Sequence, residues 1–262
     1  MIGPNRREGV GWLLAAIAAG VLVLSIALSL AVALHPAPLP GDIAIAKRVQ
    51  AAPLLDGIAT VTNPLSGVPQ WLAIGLGLAL VIPGLRVGGG RAGSQLRREA
   101  LWAIGAVIAL RFAVEPLKDI VGSPRPTAAN GIRILEVRDT FGFPSGHVYG
   151  DVLVYGVLSV YARAFFSRRL VEPFRIGVAI VIVAAGPSRL VVGAHWPVDV
   201  LGGYMWGTTG LLVSLSIARW GGRRRWLRHG GHPLLSHTQN SSRLPDADDA
   251  GDTRSPDAVA DA

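Results

Sequence analysis

Residues 11–34 contain no charged side chain. Such a stretch must be buried along its whole length. At 24 residues it is long enough to cross the hydrocarbon core of a bilayer as one helix. A signal peptide has a shorter apolar centre, so the stretch reads as a retained helix. Five more apolar runs follow, at 70–85, 100–116, 148–166, 176–187 and 197–217. Half of the chain is hydrophobic and only 16% is charged. Soluble domains carry roughly a quarter charged residues. The chain therefore reads as an all-α integral membrane protein, a bundle of six transmembrane helices.

The segments between the runs fall into two chemical classes. Those on the N-terminal side of the bilayer, 86–98, 167–175 and the stretch after 218, are rich in arginine. Arginine marks cytoplasmic loops, which places both termini in the cytoplasm. Segments 35–69, 117–146 and 188–196 then face outward, toward periplasm or cell exterior. Residues 42–52 within the first of them read as a short amphipathic helix at the interface. On or beside these outer segments stand Lys118, Arg125, His147, Arg189 and His195. Topology does not call for cations there, but a bound anion does. The formal charge is +8, although residues 234–262 hold six aspartates against two arginines. Such a basic excess in a membrane protein points to anionic lipid headgroups and not to nucleic acid. The composition predicts a membrane domain over 1–233 and a disordered, acidic cytoplasmic tail over 234–262. The chain has no cysteine, which excludes disulfides and thiolate metal sites.

Three short stretches carry chemistry. Ser188-Arg189 leads by a five-residue spacer to His195-Trp196-Pro197-Val198-Asp199. Pro197 suits the first position of a helix, so His195 and Asp199 should lie one turn apart at a helix start. An aspartate on one imidazole nitrogen leaves the other free to attack or to move a proton. Arg189 suits a bidentate grip on phosphate. Lys118, with Arg125-Pro126 seven residues on, supplies two more cations at a helix end. Pro144-Ser145-Gly146-His147 opens the fourth run and offers a hydroxyl, a close backbone approach and a proton donor. Each stretch alone also reads blandly, as a juxtamembrane basic loop or a helix cap. Arg111 and Glu115, four apart, read as a structural pair. Asp151, one turn after His147, reads as its hydrogen-bond partner or as paired with a helix neighbour.

Taken together, the three stretches resemble the type 2 phosphatidic acid phosphatase superfamily, which includes vanadium haloperoxidases and glucose-6-phosphatase. The family pattern is Lys-x6-Arg-Pro, Pro-Ser-Gly-His and Ser-Arg-x5-His-x3-Asp. Lys118 to Pro126, Pro144 to His147 and Ser188 to Asp199 match it without a spacing error. The resemblance implies the family's helical core. It implies that His195 attacks phosphorus, that Asp199 orients it and that His147 protonates the leaving oxygen. Lys118, Arg125, Ser145, Gly146 and Arg189 would bind the phosphoryl oxygens. With cations in that role, neither a cofactor nor a metal is expected.

The substrate implied is a membrane lipid phosphate or diphosphate. Undecaprenyl diphosphate, phosphatidylglycerol phosphate and phosphatidate all place a wet headgroup at the outer interface. The six-helix layout resembles members that recycle a polyprenyl carrier. A haloperoxidase fits poorly, since six apolar runs are unlike its soluble relatives. A lipid-headgroup transferase through the same histidine, and a non-catalytic lipid-binding or transport protein, are the other readings.

Overall fold

The computed structural model describes residues 4–81 and 91–229. All regular structure among them is helical. The helices are α1 (Pro4–Leu34), α2 (Asp42–Gln50), α3 (Pro53–Thr62), α4 (Val68–Val81), α5 (Arg91–Val121), α6 (Gly146–Gly150), α7 (Gly156–Val160), α8 (Ala162–Phe165), α9 (Arg168–Val191) and α10 (Pro197–His229). The chain divides into Met1–Arg225 and Trp226–Ala262, and the fold below is that of the first unit. The tail expected over 234–262 lies outside the described residues.

Among the described residues, four helical stretches are long and apolar enough to cross a membrane: Ala16–Leu34, Gln95–Val121, Arg168–Val191 and Pro197–Gly221. These correspond to the first, third, fifth and sixth apolar runs. The second run appears as α4, 14 residues long, and continues beyond the described residues. The fourth run is helical but not uniform. Between α6 and α7 the backbone takes a wide π turn over Asp151–Tyr155, and Tyr161 then separates α7 from α8. Six apolar runs and four uniform spanning helices are compatible.

The long helices pack through small residues. Gly203 and Gly207 lie one turn apart on α10. A Cβ on Gly203 would stand 2.9 Å from the Ser145 carbonyl and from Val148 Cβ. One on Gly207 would stand 2.8 Å from Val152 Cβ. Only glycine lets α10 lie this close to α6 and the π turn, as in other membrane helix pairs. One core joins α4, α5 and α7 through Ile74, Ile104, Val107, Leu153 and Val157. Another gathers Val32, Phe143, Trp196 and Val198. Trp196 is fully buried and donates Nε1–H to the Pro124 carbonyl, 3.1 Å away, so it is not an interfacial tryptophan.

Helix α9 runs further than its sequence suggests. Pro187 was expected to end the fifth run, with a loop from 188, yet the helix continues to Val191. A proline inside a helix leaves the carbonyl four residues back without its donor. Here that carbonyl is Val183. The Tyr204 hydroxyl of α10 lies 3.0 Å from it and 2.9 Å from the Ile182 carbonyl, and accepts from the Gly186 amide at 3.1 Å. One phenol thus takes over the broken turn, and Ser188 and Arg189 stay helical.

The segments expected on one face do meet. Gln50 Nε2 donates to the carbonyls of Arg133 (2.8 Å) and Leu190 (3.0 Å), and its Oε1 accepts from the Arg133 amide. Asp56 pairs with Arg133 at 2.5 Å. Helix α2, the amphipathic helix read from the sequence, is therefore fastened to the 117–146 and 188–196 segments.

Candidate active site

The start of α10 fixes the third motif stretch. Asp199 Oδ2 accepts the Trp196 amide at 2.9 Å and stands 3.4 Å from His195 Nδ1. The expected one-turn pairing of His195 and Asp199 is present, although the backbone contact is the closer of the two. From outside the motifs, Asp42 Oδ1 accepts the Val198 amide at 3.2 Å, while its Oδ2 accepts the Leu39 amide at 2.8 Å. A carboxylate at a helix start satisfies free donors and favours the dipole. Burial nevertheless raises the proton affinity of Asp42 above the usual carboxylate range.

Backbone bonds join the motif stretches. The Ser145 amide donates to the Asp199 carbonyl at 2.9 Å, and the Leu135 amide donates to the Val192 carbonyl at 2.9 Å. Arg125 is the main side-chain link. Its Nε donates to the Thr140 carbonyl (2.6 Å), and its Nη2 to Thr140 Oγ1 (3.0 Å) and the Phe141 carbonyl (3.1 Å). Its Nη1 donates to the Ala194 carbonyl at 2.7 Å and lies 3.2 Å from His195 Nε2. Lys118 comes close to Gly146, where a Cβ would stand 3.3 Å from Nζ.

These side chains enclose a pocket of about 230 Å³. Lys118, Arg125, Gly146, His147 and His195, five of the eight residues expected at the site, line it. Arg111, Glu115, Glu136, Arg138 and Thr140 complete the lining. Asp199 stands behind His195. Ser145 is buried beside the pocket, with its hydroxyl unpartnered. Arg189 is held by neighbours: Nη1 pairs with Glu136 Oε2 at 3.0 Å, and Nη2 donates to Asn63 Oδ1, which also accepts from Ser188.

Two sequence expectations are corrected. Glu115 pairs with Lys118 at 3.0 Å and not with Arg111. The side chain of Asp151 bonds Ser66 and Gln70, at 2.6 Å each, and not His147. Gln70 links the two regions by also donating to the His147 carbonyl at 3.2 Å. Glu136, Asn63, Asp42 and Gln70 were not singled out from the sequence. Each acts through a partner far away in the chain, and none sits in a local pattern that would have marked it.

The electrostatics favour an anion. Burial, then the charge of Arg189, pushes His147 down to about 3. Burial, then Arg125, holds His195 well below its ordinary value. Both are therefore neutral at pH 7. Burial likewise weakens the hold of Arg125 on its proton, without discharging a guanidinium at neutral pH. Burial pushes Glu136 upward, but its bond to Arg138 and the charges of Arg189 and Arg138 outweigh that and keep it below the usual carboxylate range.

Comparison with known proteins bears on this arrangement. The family model described as PAP2 superfamily matches residues 99–223, which contain all three motif stretches. A search of curated proteins gives no match. Among solved structures, the chain resembles the first transmembrane PAP2 type phosphatidylglycerolphosphate phosphatase from Bacillus subtilis. The TM-score is 0.60 at 21% identity, over 78% of this chain and 96% of that one. Over residues 99–223 the chain is therefore similar to the PAP2 superfamily, and its fold is that of a multi-pass helical membrane protein.

Proposed function

We propose that the protein is a metal-independent membrane phosphatase acting on a lipid phosphate or diphosphate through a phosphohistidine. The observation that carries this reading is the pocket itself. It gathers both motif histidines with Lys118 and Arg125, and His195 is backed by Asp199. In the reaction, His195 Nε2 forms a bond to phosphorus as the bond from phosphorus to the lipid oxygen breaks. His147 gives its proton to that leaving oxygen. It then takes a proton from the water that attacks the phosphohistidine, releasing phosphate and restoring His195.

Lys118 and Arg125 neutralise the phosphoryl oxygens, and the free Ser145 hydroxyl and the Gly146 amide are further donors. Arg189 joins them when Glu136 yields its place. Phosphoryl transfer depends mainly on such positioning and charge stabilisation, so these cations stand where a metal ion acts in other phosphatases. His147 is neutral in the empty pocket. An arriving phosphate dianion offsets the cations around it and lets it take up the proton it must donate.

The membrane fold and the similarity to PAP2 proteins support a lipid substrate, with its headgroup in water and its hydrocarbon tail in the bilayer. Polyprenyl diphosphate, phosphatidylglycerol phosphate and phosphatidate are the candidates. The similar structure is described as a phosphatidylglycerolphosphate phosphatase. The test is phosphate release by purified protein in EDTA from those three lipids, beside His195→Ala. Release that survives EDTA and disappears in the variant supports the reading. No release by folded protein ends it, and leaves the headgroup transferase and the non-catalytic lipid-binding protein.

The arginine distribution further supports cytoplasmic termini and a site on the outer face. In the cysteine-free chain, Asn130→Cys should react with an impermeant thiol reagent in intact cells. Labelling only after permeabilisation would invert the orientation.

A further inference from the structure

Four charged residues line the pocket from outside the motif stretches: Arg111, Glu115, Glu136 and Arg138. Three of them are paired, Glu115 with Lys118 and Glu136 with Arg138. Arg111 is not. Among the described residues it makes no hydrogen bond or ion pair. Its Nε is buried without a partner, and its guanidinium lies 5.9 Å from the centre of the Trp71 ring. It nonetheless sits inside the spanning stretch Gln95–Val121. An arginine at such depth is expensive and is ordinarily matched by a carboxylate or kept for a ligand. The nearby Glu115 is engaged by Lys118, and Asp151 by Ser66 and Gln70. Tyr149, the remaining neighbour whose charge it would feel, gives its hydroxyl proton to the Leu110 carbonyl.

The position of Arg111 sets what that ligand is. Arg111, Glu115 and Lys118 fall at i, i+4 and i+7, on one face of α5. Seven residues of helix put Arg111 about 10 Å from Lys118 along the axis, away from the loop that holds Arg125. With the site at the outer face, as proposed above, that direction leads toward the hydrocarbon core, where a lipid tail lies. Its charge is also among those that keep His147 neutral, which places it within electrostatic reach of the reacting phosphate.

We propose that Arg111 forms a second anion subsite, which holds the lipid-side phosphate of a diphosphate while Lys118, Arg125 and His195 hold the terminal one. This rests on the phosphatase reading and narrows it: the substrate class is a lipid diphosphate, in preference to a lipid with a single phosphate. The attack on the terminal phosphorus is unchanged. The leaving group is a lipid monophosphate, whose charge Arg111 offsets as it develops.

The test separates the subsite from catalysis by using ligands that are not cleaved. Detergent-solubilised full-length protein is titrated with methylenediphosphonate and with orthophosphate. A fork of donors dedicated to a second phosphate should give the diphosphonate at least about tenfold higher affinity. Arg111→Gln should bring the two within about twofold, lowering diphosphonate affinity far more than orthophosphate affinity, and Arg111→Lys should keep part of the preference, as a point charge does. Arg111→Met replaces the glutamine variant if that one does not fold. Equal affinities in the wild type, or a preference that survives loss of the charge, overturn the subsite. Phosphate release is measured in parallel. A preserved diphosphonate preference without any release removes the phosphatase reading and leaves the subsite standing.

Discussion

Arg125 Nη1 and His195 Nε2 stand 3.2 Å apart, and that contact fixes the tautomer of the histidine. A guanidinium only donates, so Nε2 must present its lone pair and the ring proton must sit on Nδ1, toward Asp199. In the proposed mechanism this is the tautomer from which Nε2 attacks phosphorus, once Arg125 turns its Nη1–H from the ring to a phosphoryl oxygen. Arg125 is itself held by Thr140, Phe141 and Ala194, so the histidine is aimed by the loop as well as by its own helix. Arg125→Lys keeps a charge but loses the fork. The expected result is a kcat lower by about a hundredfold or more, with folding intact, as for removal of an oriented charge-stabilising donor. Phosphate release together with a thermal melt checks it. A loss confined to KM would mean that Arg125 binds substrate without aiming His195.

Tyr204 is expected to be a stability residue whose effect reaches the site. Tyr204→Phe leaves the Ile182 and Val183 carbonyls and the Gly186 amide without their shared partner. Losing hydrogen bonds that are only partly buried lowers stability by about 0.5–1.5 kcal/mol. The melting temperature in detergent should fall, and activity should fall with it, because Ser188 and Arg189 ride on the turn that Tyr204 completes. An unchanged melting temperature would show that α9 holds its course past Pro187 by packing alone.

The same residue shows where sequence reading reached its limit. The His195–Asp199 pair was legible because both partners lie within one turn of one helix. The meeting of Lys118, Arg125, Gly146 and His147 with His195 was legible because the charged segments alternate with apolar runs, which sends them to one side. The helical placement of Arg189 was not, since a proline signals a stop and its rescue comes from a tyrosine 17 residues further on. Glu136, Asn63 and Asp42 were not legible either. Each is an ordinary polar residue until the fold brings it to Arg189 or to the start of α10. Arg111 was visible, but its nearest carboxylate suggested the wrong partner.

The histidines predict a direction for pH. The site holds His147 at about 3, below its ordinary 6.5. Between those values the unfolded chain binds more protons than the folded one, so stability rises with pH across that window and falls as the medium is acidified through it. His195 adds to the same trend, since it too is held low. The apo protein should therefore lose thermal stability as pH drops below about 6.5, and His147→Gln should flatten the dependence. The linked prediction is that phosphate binding takes up protons, because the anion restores the basicity of His147. Titration calorimetry in buffers of different ionisation enthalpy reads this directly. Proton release on binding would contradict the assignment of His147 as the acid.

Glu136 gives the last prediction. Its carboxylate lines the cation-rich pocket and occupies Arg189 at 3.0 Å and Arg138 at 2.7 Å. A phosphate that is to reach Arg189 must compete with it. Glu136→Gln removes the negative charge from the pocket and frees the Arg189 guanidinium, while an amide of the same shape keeps the loop in place. The expected outcome is an affinity for orthophosphate higher by a few fold, on the order of the 0.5–1 kcal/mol of a partly screened ion pair. KM should fall and kcat should change little. If affinity falls instead, the carboxylate is needed to hold Arg138 and Arg189 in their binding positions, and Glu136 is a support for the phosphate site and not its competitor.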